Sequence, residues 1–382
     1  MTARARDIAV LGAGCSGLHL ALALIERCYP GKVTLFEARP SYHNDRTWSF
    51  FTEEPNAFPY LRHTWAEIEV GAQGQRAHYN TAPFVYANTN ASAFIGYALE
   101  AIRKAPRTQL ELGVRADVDL SGRKPWTGGL AWDFVVDTRP QMPAPGTLLQ
   151  HFLGAFVEFP DPRLAPFMDA SGKPKRCVLM DFYPPKSSSV RFMYLLPFSE
   201  KKGLFEVTHF SLSRVTQSTY LNDLSAYLGA HFPGPHRIVR MEKGVLPMSA
   251  TPTPERIHPD YVEIGSRGGA LKPSTGYGFL AMRAQAAALA DAIMCDAGTI
   301  SLPPARPARK RAVDAIFLDY LIHHFADGPM LYQRLFANNP TRRLIRFLGD
   351  TSSLNEDLQV MASVPLLPFA RTLLTRLLPF AR

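Results

Sequence analysis

Ile8-Ala9-Val10-Leu11-Gly12-Ala13-Gly14-Cys15-Ser16-Gly17 is the stretch from which the fold can be read. Four apolar residues in a row predict a strand buried on both faces, since a strand with one wet face would alternate. Glycines at the spacing G-x-G-x-x-G follow at once, and Leu18 to Arg27 continues as a helix. Val33-Thr34-Leu35-Phe36 reads as a second buried strand, with Glu37 at its end, 20 residues after Gly17. Strand, turn, helix, strand and acid, in that order, make the dinucleotide fingerprint. Gly12 permits the tight turn. Gly14 lets the backbone approach a pyrophosphate on the positive helix N-terminus, and Gly17 lets the helix close on the strand. Glu37 would accept hydrogen bonds from ribose hydroxyls and disfavour a 2′-phosphate. Alone, the segment suits FAD or NAD.

A second segment chooses between them. Tyr261-Val262-Glu263-Ile264-Gly265 leads through Gly268, Gly269 and Lys272-Pro273-Ser274-Thr275-Gly276-Tyr277-Gly278 into an alanine-rich helix, Phe279 to Met294. A strand, a glycine turn and a Ser/Thr-capped helix start again create an anion-binding N-terminus. In two-domain flavoproteins such a segment closes over the flavin diphosphate, so FAD is the expected cofactor. Phe134-Val135-Val136-Asp137-Thr138-Arg139 reads as a third strand of the same domain, ending in Asp-x-Arg.

From Gln150 to about Gly244 the pattern changes. Gln150–Phe156, Cys177–Phe182, Arg191–Phe198 and Gly203–Phe210 are apolar or alternating runs between Pro, Gly and Ser clusters, which predicts a mixed or antiparallel sheet. The expected fold is therefore α/β. A Rossmann-like FAD-binding domain (1–50, 80–149 and 245–305) carries an inserted β-sheet substrate domain (51–79 and 150–244). A helical C-terminal region (306–382) follows. That region ends in a repeat, Leu366–Arg371 recurring as Leu377–Arg382, whose leucines, phenylalanines and arginines suit either an anionic bilayer surface or a helix packed on the body.

Composition bounds the rest. The 382 residues are 46% hydrophobic and 20% charged, enough for two packed domains and too apolar for wholesale disorder. No 18 apolar residues run together, so no spanning helix is expected. A net charge of +9 favours anionic partners, but no basic run of five residues occurs, and a nucleic-acid partner is not expected. Cys15, Cys28, Cys177 and Cys295 form no CxxC pair, which suits a reducing compartment. The glycines interrupt what would otherwise pass for a signal peptide, so the protein is expected on the cytoplasmic side. His323 and His324 are adjacent, there is no HExxH or GxSxG, and neither a metal site nor a serine hydrolase is expected.

Taken in order, further motifs resemble those of the bacterial lycopene β-cyclases. They are Asn44-Asp45-Arg46-Thr47-Trp48-Ser49-Phe50, Met180-Asp181-Phe182, Arg191-Phe192 with Leu196-Pro197-Phe198, Phe205-Glu206-Val207-Thr208 and Gly244-Val245-Leu246-Pro247-Met248, with Lys272 to Tyr277. The similarity runs from Ile8 to about Leu358. It implies an FAD-dependent isomerisation in which the flavin is reduced, usually through NADPH, without net redox change. A ψ-end of lycopene is protonated at C2, the C1 cation is attacked by the C5–C6 double bond, and loss of the C6 proton leaves a β-ring. The family's acid in the Glu-x-Thr strand maps onto Glu206. Better-known members carry Asn-His-Thr-Trp where Asp45-Arg46-Thr47-Trp48 stands, and most have a second acid where this chain has Val207.

The residue types suit that chemistry. A hydrocarbon offers no polar handle, so recognition needs an apolar tunnel. Trp48, Phe182, Phe192, Tyr194, Phe205 and Tyr277 are the substrate candidates, with Phe152, Phe156, Phe198 and Phe210 as further material. Protonating an alkene needs a dry acid, and a carboxyl between Phe205 and Val207 would be desolvated; the plainer reading of Glu206 is the wet face of an edge strand. Asp181 is the candidate for a second acid or a water-positioning group. Arg46 and Arg139 are expected to hold the flavin or neighbouring carboxylates, and Asp137 to bind the cofactor. A competing function is a flavin monooxygenase, halogenase or prenyl-chain reductase of the same architecture. Against a hydroxylase, the Gly265–Gly269 turn carries Ser266-Arg267 where such enzymes generally place an Asp. A non-catalytic flavin- or membrane-binding protein fits less well with a carboxylate in an aromatic strand.

Overall fold

The computed structural model describes residues 5–250, 257–295, 300, 302 and 304–364. The terminal repeat lies outside the described residues.

In chain order the first elements are β1 (Ile8–Leu11), α1 (Cys15–Glu26), β2 (Val33–Glu37), β3 (Thr47–Thr52), β4 (His63–Trp65), β5 (Glu67–Ala72), β6 (Gln75–Asn80), β7 (Val85–Asn90), α2 (Ala91–Lys104) and β8 (Thr108–Leu112). Three two-residue strands follow, β9 (Val118–Asp119), β10 (Trp126–Thr127) and β11 (Leu130–Ala131), then β12 (Phe134–Asp137). The middle of the chain forms β13 (Leu148–Glu158), β14 (Arg176–Phe182), β15 (Val190–Ser199), β16 (Lys202–Ser211), α3 (Gln217–His231) and β17 (Arg237–Met248). It closes with β18 (Tyr261–Glu263), α4 (Phe279–Met294), α5 (Ala308–His323), α6 (Gly328–Ala337), α7 (Thr341–Leu348) and α8 (Leu354–Ala362).

The first domain is a five-stranded parallel sheet in the order β18-β12-β1-β2-β8. Alternation within β1 shows why its sequence is wholly apolar. Ile8 and Val10 enter the core shared with α1, α2 and α4, while Ala9 and Leu11 face Trp132 and Ala116 on the other side. Both faces are dry, so no position in β1 can be polar.

The second domain is a seven-stranded sheet, β17-β13-β16-β15-β14-β5-β6, antiparallel except where β14 meets β5. Its back face packs on α3 through Leu153, Ala155, Val207, Phe205 and Leu224. Its front face is covered by the C-terminal helices, which bring Leu318, Leu321, Tyr332, Leu344 and Val360 against Phe182, Phe192 and Phe210. A three-stranded sheet, β3-β7-β4, stands between the two domains. Thus β4 pairs with β7, whereas β5 and β6 join the large sheet.

Candidate active site

Between the front face of the large sheet, the helices α5 to α8 and the loop before α4 lies a cavity of about 430 Å³. Its floor can be read from strand pairing. Gly244, Phe152, Thr208 and Phe192 form one row across four strands, and Glu242, Gly154, Glu206 and Tyr194 form the next. Residues in one row project to one face. Phe152, Phe192, Tyr194, Glu206 and Thr208 accordingly line the cavity, with Trp48 and Thr47 from β3 and Ser274, Thr275, Gly276 and Tyr277 from the loop.

Glu206 is the acid on the floor of this space. Its Oε1 accepts a hydrogen bond from Thr208 Oγ1 at 2.9 Å. Burial, reinforced by the nearby charge of Glu242, pushes its carboxyl up to about 8, so it stays protonated at neutral pH. Its residual exposure is into the cavity. The source of the desolvation differs from the sequence expectation: Phe205 and Val207 lie on the opposite face against α3, and the apolar cavity itself keeps Glu206 dry.

Three sequence candidates therefore move. Phe205 packs in the α3 core and cannot meet a ligand in the cavity. Phe182 sits behind the wall, its ring stacked on Tyr332 at 5.8 Å and edge-to-face with Phe192. Asp181 is buried away from the cavity, accepting from Tyr227 Oη at 2.6 Å and the Gly74 amide at 3.0 Å, with Arg76 3.7 Å away. The cause is an irregularity in β14, where the pairing shifts between Val178 and Asp181. Leu179 and Met180 both face the cavity, so the next residue is turned under α3.

The nucleotide end is also built from the residues quoted first. Gly12 has φ +91, and a Cβ on Gly17 would lie 2.1 Å from the Gly12 carbonyl oxygen, so neither position accepts a side chain. A Cβ on Gly14 would meet nothing within 4 Å: the space above that turn is open. Gly14 caps α1 and Gly278 caps α4, neither with a side-chain partner, so the first-turn amides of both helices keep no side-chain acceptor. This corrects the expected Ser/Thr cap of α4. Thr275 Oγ1 instead accepts from the Tyr277 amide, and Ser274 Oγ donates to Asp314 at 2.6 Å. The two glycine segments meet directly, for a Cβ on Gly265 would lie 2.2 Å from Ser16 Oγ. Gln285 staples the second turn, accepting from the Gly265 amide and donating to the Gly268 carbonyl. Gly269 takes φ +74 in that turn.

Other charged candidates are engaged within the protein. Glu37 accepts from the Arg39 guanidinium, the Arg39 amide and the Ala13 amide, so a ribose would have to displace Arg39. Arg139 clasps Asp137 through its amide and through two guanidinium hydrogen bonds of 3.0 and 2.7 Å, and Tyr261 Oη adds a fourth to that carboxylate. Both close the end of β12 rather than pointing at the cavity. Arg46 pairs with Asp45 and lies near the start of α1, where burial pushes the Cys15 thiol up and the Arg46 charge opposes it.

Three polar residues of the cavity lining, Thr47, Gln150 and Asp314, were not among the site candidates read from the sequence, nor was Glu242, which stands in the floor row beside Gly154. Gln150 Oε1 finds no partner among the described residues and reaches over Gly276, where a Cβ would lie 2.5 Å away. Gly276, at φ +70, is what leaves that space.

Comparison with known structures places the fold. Halogenase PltM is similar over 99% of this chain and 92% of its own, at 12% identity and a TM-score of 0.62. A geranylgeranyl bacteriochlorophyll reductase-like protein from Thermoplasma acidophilum is similar over 98% and 99%, at 12% identity and a TM-score of 0.61. The 2,6-dihydroxypyridine-3-hydroxylase from Arthrobacter nicotinovorans is similar over 85% and 94%, at 12% identity and a TM-score of 0.59. The architecture is thus shared with flavin monooxygenases, halogenases and reductases. No curated protein sequence matches the chain. The lycopene cyclase protein family matches residues 7–374, nearly the whole length, and the chain belongs to that family of carotenoid-cyclising enzymes.

Proposed function

We propose that the protein is a lycopene β-cyclase that uses reduced FAD without net redox, with Glu206 as the acid. The observation that carries this reading is a carboxyl held protonated at neutral pH on the floor of an aromatic cavity. A redox flavoenzyme has no need for such an acid next to an apolar substrate; a cyclase cannot start without one.

The residues fit a flavin dinucleotide. The open turn at Gly14, the uncapped starts of α1 and α4, and the Gly265–Gly269 turn offer backbone donors to a diphosphate, while Gly276 and the partnerless Gln150 Oε1 leave a polar notch beside the cavity. Arg46, near the α1 start, adds positive charge. When bound, the reduced flavin supplies negative charge that favours a nearby carbocation. Glu206 gives its proton to C2 of the ψ-end, and the C6 proton released after ring closure restores an acid, so protons balance over the cycle. Trp48, Phe192, Tyr194 and Tyr277 shape the apolar path, offer π-faces to the cation and exclude the water that would quench it.

We also assign NADPH as the reductant and an anionic membrane surface, on the cytoplasmic side, as the source of substrate. Support for the surface comes from α7 and α8. Leu344, Phe347, Leu348, Met361 and Val364 line one end of the cavity, and Arg342 is exposed on the same short helix, α7. No helix among the described residues is long and apolar enough to cross a membrane.

The direct test is anaerobic. Purified protein, FAD, NADPH and lycopene in anionic liposomes should give a product of unchanged mass with a β-ring spectrum, and NADPH use far below turnover. An oxygenated product formed only in air, with stoichiometric NADPH use, would establish the monooxygenase reading that the shared architecture allows. The cofactor site has its own test. Gly14→Ala adds a methyl into open space, so the apoprotein should fold as before, yet the purified variant should carry at least tenfold less FAD because the methyl stands where the diphosphate approaches. Full FAD content in that variant would place the diphosphate elsewhere.

A further inference from the structure

A second carboxylate belongs to this site, and the chain order hides it. Glu242 on β17 and Glu206 on β16 both oppose Gly154 on β13, one from each side. Strands lie about 4.8 Å apart, so two residues with one strand between them start roughly 10 Å apart at the backbone. Any side chain on the middle strand would separate them. Here the middle residue has none. A Cβ placed on Gly154 would sit 3.2 Å from Glu242 Cγ and 3.6 Å from Glu206 Oε2, so both side chains lean over the same glycine.

Their surroundings differ in one respect that matters. Glu242 is buried, yet Thr47 Oγ1 donates to its Oε2 at 3.0 Å and the Arg240 guanidinium lies 3.4 Å from the same oxygen. Arg240 is itself fixed, by the Asn44 carbonyl and by the face of the Phe156 ring at 3.6 Å. Among the described residues, Glu206 has the Thr208 hydroxyl alone. Two close carboxyls in a dry place cannot both ionise, and the one with the cation and the extra donor takes the charge.

We propose that Glu242 is the ionised partner of Glu206: a positioning residue that keeps the proton on Glu206 and sets the upper pH at which it still works as an acid. The activity arm of this inference rests on the cyclase reading; the carboxyl pair does not.

The other groups facing the pair do not replace Glu242 in this role. β15 contributes the Tyr194 hydroxyl, which is bonded to Tyr86 at 2.9 Å. The loop before α4 contributes the Tyr277 hydroxyl, and α5 contributes Asp314, already committed to Ser274 and Arg306. β13 presents Gly154 and the neutral Gln150. Ahead of β3, Asp45 is held by Arg46. Burial pushes the Glu242 carboxyl up, and Thr47 and Arg240 pull against that, with Asp45 adding a smaller push upward.

The test is Glu242→Gln, which keeps the shape and a hydrogen-bond partner for Thr47 while deleting the charge. Two readouts are needed. The alkaline limb of the cyclisation pH profile should move down by about one pH unit, with Glu242→Asp moving it back toward the parent. Independently, the infrared carbonyl band of the protonated Glu206 carboxyl, assigned as the band lost in Glu206→Gln, should titrate about one unit lower in Glu242→Gln. A folded Glu242→Gln protein whose limb and band both titrate as in the parent overturns the proposal, as does a Glu206 carboxyl already ionised at pH 7 in the parent. If the parent forms no β-ring but the band still shifts, the cyclase reading fails and the carboxyl pair stands. Should Glu242→Gln fail to fold, Thr47→Val removes only the donor to Glu242 and should shift the band in the same direction by a smaller amount; no shift there overturns the proposal equally.

Discussion

Glu206→Gln is expected to abolish cyclisation, by about 10³-fold or more, while the purified variant keeps its FAD. The amide fills the same volume and can still meet Thr208 Oγ1, so neither the row of residues across the sheet nor the cofactor loop is disturbed. What disappears is the carboxyl proton on the cavity floor. The same substitution has a second signature, in stability. The folded-state Glu206 is raised to about 8 from an ordinary 4.5. A raised carboxyl favours the protonated fold: its stabilising contribution is whole below about pH 4.5 and is lost as pH climbs toward 8. Gln carries no such dependence. The variant should therefore gain on the parent as pH rises through that window, by roughly 2–4 kcal/mol at pH 8.5, with no further gain above it. Urea unfolding at pH 5 and pH 8.5 measures this. A pH-independent difference between the two proteins would mean that Glu206 is ionised in the fold, and the acid would have to be sought elsewhere.

How much of this site could be read from the sequence depends on which faces of each strand are dry. β1 has the predicted bounds, and β12 starts at the predicted Phe134 but stops at Asp137, before Arg139, because burial on both sides of the parallel sheet writes an unbroken apolar run. The long alanine-rich helix α4 has no competing strand pattern and begins at the expected Phe279. The large sheet is harder for the same reason that β1 is easy. With α3 behind and α5 to α8 in front, Arg191–Phe198 and Gly203–Phe210 are apolar on both faces, so their composition marks a strand but not which residues look into the cavity. Phe205 and Phe210 are equally aromatic; pairing with β13 alone sends the first to α3 and the second to the cavity. Asp181 adds an irregularity that no spacing rule reveals, since one extra residue in β14 reverses its side. Glu242 stood in a segment, Arg237 to Gly244, that is mostly exposed and reads as an edge strand. Its meaning lies in a glycine 88 residues earlier in the chain, and only the register brings the two together.

Asp314→Ala should have the largest effect on stability. Its carboxylate accepts from Arg306 Nη2 at 2.6 Å and Ser274 Oγ at 2.6 Å, with Lys272 Nζ at 3.4 Å. Lys272 and Arg306 are both almost fully buried, and their remaining carboxylate is Asp350, bonded to them at 2.7 and 2.5 Å. Removing Asp314 leaves two buried cations facing one anion, a situation that costs about 3–5 kcal/mol when a partner is deleted rather than the whole set replaced. The damage should not stay local, because this cluster joins α5 and the turn after α7 to the loop whose Ser274, Thr275 and Gly276 line the cavity. The helical cover and the cofactor loop are thus fastened by charges rather than by apolar contact alone. Loosening the cover lets water reach a cationic intermediate, so the variant should lose cyclisation and FAD retention together, with hydrated, uncyclised product appearing in their place. Acid should weaken the Asp350 side of this cluster only below the usual carboxylate range. Burial pushes the Asp350 carboxyl up, but Arg306 and Lys272 outweigh it and hold it below the usual carboxylate range. A depressed carboxylate contributes stability that is present above its unfolded value and lost only as pH falls through the folded one. Differential scanning of parent and variant at pH 7, with FAD content read from the same samples, decides the matter: an unchanged midpoint with full FAD would show that apolar packing by Leu318, Leu321 and Tyr332 holds the cover without the clamp.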